Sequence, residues 1–393
     1  MSRPSPSAPR RGRTEADEKF MRRALALARR AEGATSPNPL VGAVLVRAGR
    51  ILGEGWHRRA GQPHAEIEAL NAAARRGHSA RGATLFVTLE PCCTQGRTPP
   101  CTEAILRAGV RAVVVATRDP NPLHAGRGLR LLRRSGLDVR VGVLAAEAAR
   151  LNESFFHWIV HRTPFVTVKA AMTLDGKIAT ATGESKWITG PHARAEGMRL
   201  RARHDAILVG VNTILADNPA LTIRGLPDAK GKPALPVRPR ALRRVILDSR
   251  ARTPITASVV ADASATSTII VVGRNAPAAR VAALTKRIDV WRAPQRRQRL
   301  DLAWVLRRLG QEQLTSVLVE GGGEVNASFL LGGFAQRVAF FYAPKILGGT
   351  GSRKAVGGEG ARKLSEIVTL HEVEWKRVGE DLMMTARVGS PAI

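Results

Sequence analysis

Short β-branched runs alternate with helix-length stretches along most of this 393-residue chain, and that alternation constrains the fold more than any other feature. Strands alternating with helices build an α/β sheet covered by helices on both faces. The first series opens with Phe20, Met21, Ala24, Leu25 and Ala28, an apolar stripe at helical spacing in a helix that starts at Glu15. Ser36-Pro37-Asn38-Pro39 stops it. Residues 40–46 and 51–56, parted by Ala48-Gly49, read as a strand pair. A helix over 64–77, a strand over 83–89, a short helix over 102–108, a strand over 112–117, a helix near 129–134 and a strand over 139–143 follow. A helix over about 145–162 then leads to Arg162-Thr163-Pro164, where a second series begins. Its expected strands are 166–171, 206–211, 244–248, 268–272, 316–320 and 338–344, with helices near 191–203, 302–309 and 325–331. The segment 225–239, rich in Gly, Pro and Lys, reads as a surface loop. Two α/β domains result, 15–162 and 163–393, behind a disordered basic tail over 1–14.

Composition sets the outer limits. Apolar residues make up 44% of the chain, enough to bury sizeable cores and too many for a wholly disordered protein. No run approaches the roughly 18 uncharged apolar residues of a membrane span. The N-terminus has no apolar stretch behind its basic, Pro/Ser-rich start, so no secretory signal is read there. Three cysteines do not make the paired framework of a small secreted domain. The expected compartment is the cytoplasm. A net charge of +30 points first at nucleic acid, but 51 of the 62 basic residues are arginines spread along the chain. Aromatic residues are only 4%, with a single Tyr, so the stacking platforms of nucleic-acid binders are scarce. The spread charge reads as solvated helix faces, and neither nucleic acid nor a membrane is an expected partner.

The chemistry of the first half lies in four residues. His64 opens a helix, Cys92 follows Pro91 after a strand, and Cys101 comes nine residues later. One imidazole and two thiolates give tetrahedral zinc three ligands and leave the fourth position for water. Glu66, two residues past His64, is placed to carry protons for that water. This H-x-E…P-C order is that of zinc deaminases, in which the metal activates water for attack on an amine-bearing ring carbon. Cys93 is a spare thiol that could replace Cys92, although the position directly after Pro91 is the preferred ligand. Two rivals stand beside this reading: a tRNA-type nucleic-acid deaminase with a basic accessory domain, and a non-catalytic zinc-stabilised module.

Five runs carry a family resemblance: Pro37-Asn38-Pro39-Leu40-Val41-Gly42, Gly61-Gln62-Pro63-His64-Ala65-Glu66, Thr88-Leu89-Glu90-Pro91-Cys92, Gly96-Arg97-Thr98-Pro99-Pro100-Cys101 and Asp119-Pro120-Asn121-Pro122. With them the chain resembles the bifunctional riboflavin-biosynthesis deaminase–reductases. The long cysteine spacing with its GRTPPC insert separates these from cytidine and tRNA-adenosine deaminases. The resemblance implies one Zn2+ per chain on His64, Cys92 and Cys101, with Glu66 as the catalytic proton carrier. It implies a substrate pocket lined by Asn38, His57, Arg97, Asp119 and Asn121. Where the family usually has a His two places past its first cysteine, Cys93-Thr94 stand here.

In the second half, the strand over 316–320 runs into Gly321-Gly322-Gly323 and then a helix, so backbone amides can approach a phosphate. The pattern is not G-x-G-x-x-G, and a Rossmann fold is not indicated. The resemblance continues through Lys169-Ala170-Ala171-Met172-Thr173-Leu174-Asp175-Gly176, Gly183-Glu184-Ser185-Lys186-Trp187-Ile188-Thr189, Leu215 to Thr222, Val319-Glu320-Gly321-Gly322 and Ala343 to Gly349. It implies a reductase domain similar in fold to dihydrofolate reductase, following a cytidine-deaminase-like α/β/α domain. It places NADPH on Ala171, Trp187, Thr213, Asp217, Ser249, Gly322, Gly323, Glu324, Val325, Asn326, Ala327 and Ser328. It places substrate on Ser185, Arg201, Leu221, Arg224 and Glu320, where the two arginine forks suit a ribose phosphate. The implied substrates are pyrimidine ribose phosphates, deaminated by the first domain and reduced by the second. A homo-oligomer through the reductase domain is expected with them.

Overall fold

The computed structural model describes residues 15–95, 99–224 and 241–389. The expected tail over 1–14, Arg97 and the expected loop over 225–239 lie outside the described residues. The chain divides into two compact units, one running to Val160 and the other starting at His161.

In the first unit, β1 (Gly42–Arg47), β2 (Arg50–Trp56), β3 (Thr84–Leu89), β4 (Ala112–Thr117) and β5 (Asp138–Val141) form one sheet in the order β2-β1-β3-β4-β5. β1 is antiparallel to β2 and β3, whereas β3, β4 and β5 run parallel. Successive side chains of a strand point to opposite faces. Val44, Val46, Phe86 and Val114 therefore pack with Phe20, Met21, Ala24 and Leu27 of α1 (Glu15–Ala28). Ala43, Leu45, Leu85, Val87 and Val113 pack on the other face with α2 (Ala65–Arg75), α3 (Cys101–Arg107) and α4 (Arg127–Arg134). Glycines let α2 lie directly on the sheet. A Cβ at Gly53 would stand 2.2 Å from the Ala69 carbonyl oxygen, and one at Gly55 would stand 2.4 Å from that of Ala65. This close seat fixes the N-terminus of α2, which carries His64 and Glu66.

The single helix expected over 145–162 is two, α5 (Ala145–Leu151) and α6 (Glu153–His161). Asn152 parts them because its buried amide serves another segment. It accepts from the Leu40 N–H at 2.7 Å and donates to the Leu40 carbonyl at 2.9 Å. Satisfying that buried backbone pair outweighs an uninterrupted helix.

Among the described residues the main sheet of the second unit has nine strands, in the spatial order Asp289–Ala293, Thr268–Gly273, Arg243–Leu247, Ala206–Gly210, Ser316–Val319, Phe165–Thr173, Arg337–Ala343, Asp381–Val388 and Leu370–Val378. The first seven are parallel and the last two antiparallel. One face packs Val166, Val168 and Leu208 against Val305 and Leu309 of helix Leu302–Gln311 and Phe329 of helix Gly323–Leu330. The opposite face packs Ile207, Val209, Ile246 and Ile270 against Ile214, Val260 and Leu284. The terminal hairpin and the strand Asp289–Ala293 go beyond the expected series. Both outer strands are sheet edges: Leu370–Val378 buries only Val378, and Asp289–Ala293 buries only Ala293, so neither shows an apolar period. Helices Val211–Asp217, Ser258–Ala261 and Ala278–Thr285 are also additional to the expected set.

Candidate functional site

His64 occupies the N-cap position of α2, Cys101 begins α3, and Cys92 lies in the segment that leaves β3. The His64 Nδ1 stands 3.2 Å from the Cys101 Sγ and 3.5 Å from the Cys92 Sγ, and all three donor atoms lie within 4.8 Å of one another. Zinc with bonds of about 2.3 Å to sulfur and 2.0–2.1 Å to nitrogen sets N and S ligands roughly 3.6 Å apart in a tetrahedron. The donor set and its spacing fit that ion. The hydrogen bond from Cys101, joined by the His64 imidazole, pulls the Cys92 thiol down to about 4. The same contact pushes Cys101 up. Cys93 stands outside the cluster. Its Sγ lies 3.9 Å from the His124 Nδ1, and burial raises its thiol.

Glu66 sits in the first turn of α2 with only 3% of its surface exposed. Burial pushes its carboxyl up to about 7 against the pull of His64. Beside the ligands, Nδ1 of His57 meets the Pro63 carbonyl at 3.1 Å, and Nε2 meets Nδ2 of Asn38 at 3.1 Å. A carbonyl only accepts, so Nδ1 carries the proton and Nε2 accepts from the Asn38 amide. Burial lowers the His57 pKa, which favours this neutral ring. Asp119 and Asn121 are both buried and build a turn: the Asn121 N–H donates to Asp119 at 2.9 Å, and the Leu123 N–H donates to Asn121 at 3.1 Å. Burial pushes the Asp119 carboxyl up to about 6.

In the second unit, a cleft of about 950 Å³ is lined by Ser185, Thr213, Asp217, Glu320 and the run from Gly321 to Val325, with Arg353 and Lys354 also on its wall. Its size lies at the upper end of small-molecule sites. The glycines are shaped to it: a Cβ at Gly322 would meet only open space, whereas one at Gly323 would stand 2.3 Å from the Lys354 carbonyl oxygen. Thr213 and Asp217 share one face of helix Val211–Asp217, an element absent from the expected set although Val211 and Ile214 carry its apolar spacing. A second cavity of about 320 Å³ is lined by Lys169, Ala171, Trp187, Arg201, Arg224 and Glu320, among others. Glu320 borders both.

Several expected contacts divide on inspection. Arg201 does not present its fork to the cavity as an unengaged phosphate clamp. Its Nε and Nη2 donate to the two Glu320 oxygens at 2.7 and 3.0 Å, and its Nη1 donates to the Thr222 carbonyl at 3.0 Å. Arg224 is exposed. Leu221 is a core side chain. Asn326 and Ala327 are buried behind the glycine loop, Asn326 donating to the Ala355 carbonyl at 2.8 Å, so only the start of the run from Gly322 to Ser328 faces the cleft. The Ser328 hydroxyl donates to the Glu324 carbonyl, and Ser249 receives the Gly273 N–H on its own carbonyl. Lys169 and Arg353 also line these cavities, although the sequence assigns neither a contact. Lys169 is the one charge in the strand Phe165–Thr173, and its Nζ lies 3.7 Å from Glu320.

Comparison with known proteins agrees along nearly the whole chain. Residues 164–384 match the family model described as the RibD C-terminal domain, and residues 14–117 match that of the cytidine and deoxycytidylate deaminase zinc-binding region. The riboflavin biosynthesis protein RibD of Aquifex aeolicus is 42% identical over 370 residues, which is 94% of this chain and 98% of that protein. The structure of Acinetobacter baumannii RibD superposes with a TM-score of 0.82 at 33% identity, covering 96% of this chain and 99% of that one. A diaminohydroxyphosphoribosylaminopyrimidine deaminase/5-amino-6-(5-phosphoribosylamino)uracil reductase from Thermotoga maritima gives 0.79 at 35% identity, covering 95% and 99%.

Two measurements check this geometry. Cys92→Ser loses the metal, whereas Cys93→Ser keeps it; metal analysis of both purified proteins decides, and loss from the Cys93 variant contradicts the ligand set. The second concerns Glu320. Burial alone would raise its carboxyl, but the charges of Lys169 and Arg201 and the Arg201 hydrogen bonds hold it at about 2 instead of an ordinary 4.5. A depressed carboxyl adds stability that is full above its unfolded pKa and is lost as pH falls toward its folded pKa. The urea midpoint therefore falls more steeply from about pH 5 to pH 2 in the parent than in Glu320→Gln. Equal slopes contradict it.

Proposed function

The chain belongs to the RibD family of bifunctional riboflavin-biosynthesis deaminase–reductases, and from that premise we propose how its residues divide the two reactions. Residues 15–162 hydrolyse the exocyclic 2-amino group of 2,5-diamino-6-(5-phosphoribosylamino)pyrimidin-4(3H)-one. Residues 163–393 then reduce the ribosyl group of 5-amino-6-(5-phosphoribosylamino)uracil to ribityl with NADPH. The observation that carries the reading is the cluster of His64, Cys92 and Cys101 with the buried Glu66 beside it.

His64, Cys92 and Cys101 would hold one zinc ion, which when bound supplies Lewis-acid activation of water. Glu66 would take one proton from the attacking water and give it to a ring nitrogen, then carry the second proton from the added hydroxyl to the amine, which leaves as ammonia as the carbonyl forms. Asn38, oriented by His57, and the turn of Asp119 and Asn121 bind the pyrimidine, with Arg97 completing the pocket. In the second unit Thr213, Asp217 and the run from Gly322 to Val325, with Ala171 and Trp187, would hold NADPH, which supplies the hydride when bound. Ser249 and Ser328 belong to its outer contacts, and Asn326 and Ala327 support the loop from behind. Ser185, Arg224 and Glu320 meet the substrate. Arg201 enters this reading chiefly as the group that fixes Glu320, and Leu221 through backbone and packing. The fold of this unit is read as dihydrofolate-reductase-like.

The tRNA-type alternative is disfavoured because the RibD likeness extends over 94% of the chain and includes the region beyond the deaminase unit. No helix among the described residues is long and apolar enough to cross a membrane. A cytoplasmic enzyme that self-associates through the reductase unit is part of the proposal. The edge strand Leu370–Val378, with Val373 and Trp375 exposed, supports that surface.

The test exploits the separation of the two sites. Glu66→Gln is nearly isosteric and removes the proton carrier, so deamination falls roughly 10²–10⁴-fold while zinc remains bound. The same protein reduces supplied deaminated substrate at the parental rate. Loss of reductase activity in Glu66→Gln contradicts the division of labour, and parental deamination contradicts the role of Glu66.

A further inference from the structure

Glu90 is the residue before Pro91-Cys92, and it is only 4% exposed. A buried carboxylate needs hydrogen-bond donors. Here they are four backbone N–H groups from one downstream stretch of chain. Oε2 accepts from Asp119 at 3.3 Å and Gly126 at 3.0 Å, and Oε1 accepts from Gly128 at 3.0 Å and Leu129 at 3.4 Å. Gly126 and its neighbours form the start of α4, where unpaired N–H groups and the helix dipole favour a negative charge.

The fit is close. A Cβ at Gly128 would stand 2.3 Å from the Pro91 carbonyl oxygen and 3.3 Å from the Glu90 Oε1. Gly128 thus brings α4 against the same two residues that precede the Cys92 ligand. The stretch that Glu90 grips is also the one that carries Asp119 and Asn121. That turn hydrogen-bonds internally and begins two residues after β4 ends at Thr117. Glu90 ties it from outside through side chain and backbone: its carboxylate accepts the Asp119 N–H, and its own N–H donates to the Thr117 carbonyl at 3.0 Å. The packing of Leu129 and Leu132 in the core already holds α4 to the sheet, so the contact at Asp119 adds positional control rather than bulk stability.

We propose that Glu90 is a positioning residue of the deaminase site, setting the distance between the metal ligand Cys92 and the substrate turn of Asp119 and Asn121. The inference rests on the reading of that turn as a substrate contact. Substrate held by a displaced turn binds more weakly and meets the reacting atoms out of line, and a misplacement of about 1 Å costs on the order of 10²-fold.

The experiment uses the full-length zinc-loaded protein and the variants Glu90→Gln, Glu90→Asp, Asp119→Ala and Asn121→Ala. Gln keeps the shape but offers one acceptor oxygen, and its NH2 opposes N–H donors. Glu90→Gln should keep one zinc per chain and a parental reductase rate, with deaminase kcat/KM lowered about 10²-fold and KM carrying most of the loss. Glu90→Asp, which retains both oxygens, should recover part of it. Parental KM and kcat in zinc-loaded Glu90→Gln overturn the proposal. Loss of zinc from both Glu90 variants also overturns it, since Glu90 would then hold the metal loop together and nothing more. If Asp119→Ala and Asn121→Ala raise KM while Glu90→Gln does not, the proposal alone fails. If both keep a parental KM, the underlying substrate reading fails instead.

Discussion

The parallel pairing of β3 with β4 is the constraint from which the first site follows. Parallel neighbours release their chains at the same edge of the sheet, so the segment carrying Cys92 and the segment carrying Asp119 emerge side by side. The close seat of α2, made possible by Gly53 and Gly55, brings His64 and Glu66 to the same edge. Cys101, the first residue of α3, completes the ligand set from the connection that follows β3. The second unit repeats the device. Ala206–Gly210 and Ser316–Val319 are parallel neighbours, and the helix after one and the glycine loop after the other line a single cleft.

The arginine excess is in part structural. Arg244 is only 1% exposed and donates to both Asp262 oxygens at 2.6 and 2.9 Å, as well as to Thr268 and two backbone carbonyls. Arg201 holds Glu320 in the same bidentate manner. Others cover aromatic faces: Arg58 lies 4.3 Å from the Trp56 ring centre and Arg194 lies 4.6 Å from that of Trp187. The fixed guanidinium fork suits both uses. A net charge of +30 therefore overstates how much cationic surface is available to a polyanion, beyond the spread along the sequence.

What the sequence made legible follows residue chemistry and burial. Interior strands such as Ala112–Thr117 and Thr268–Gly273 are wholly or almost wholly buried, and their apolar runs announce them. The metal cluster is legible because few residue types bind zinc and their order is informative. Edge strands bury too little to leave a period, so Leu370–Val378 gives no apolar signal. A helix break at Asn152 depends on a partner at Leu40, distant in sequence. The pairing of Arg201 with Glu320 is of the same kind, since the two residues stand 119 positions apart. A run of consecutive residues read as one contact, Gly322 to Ser328, splits because a helix turns alternate side chains away from the cleft.

His64, Cys92 and Cys101 would hold an open metal centre of two sulfurs and one imidazole, with Glu66 alongside. X-ray absorption at the zinc edge on the purified full-length protein addresses it most directly. Two sulfur scatterers at about 2.3 Å and nitrogen or oxygen scatterers at about 2.0–2.1 Å are expected. Three sulfurs would bring Cys93 into the centre and close it, and a shell without sulfur would remove Cys92 and Cys101. Either result contradicts a centre held by His64, Cys92 and Cys101.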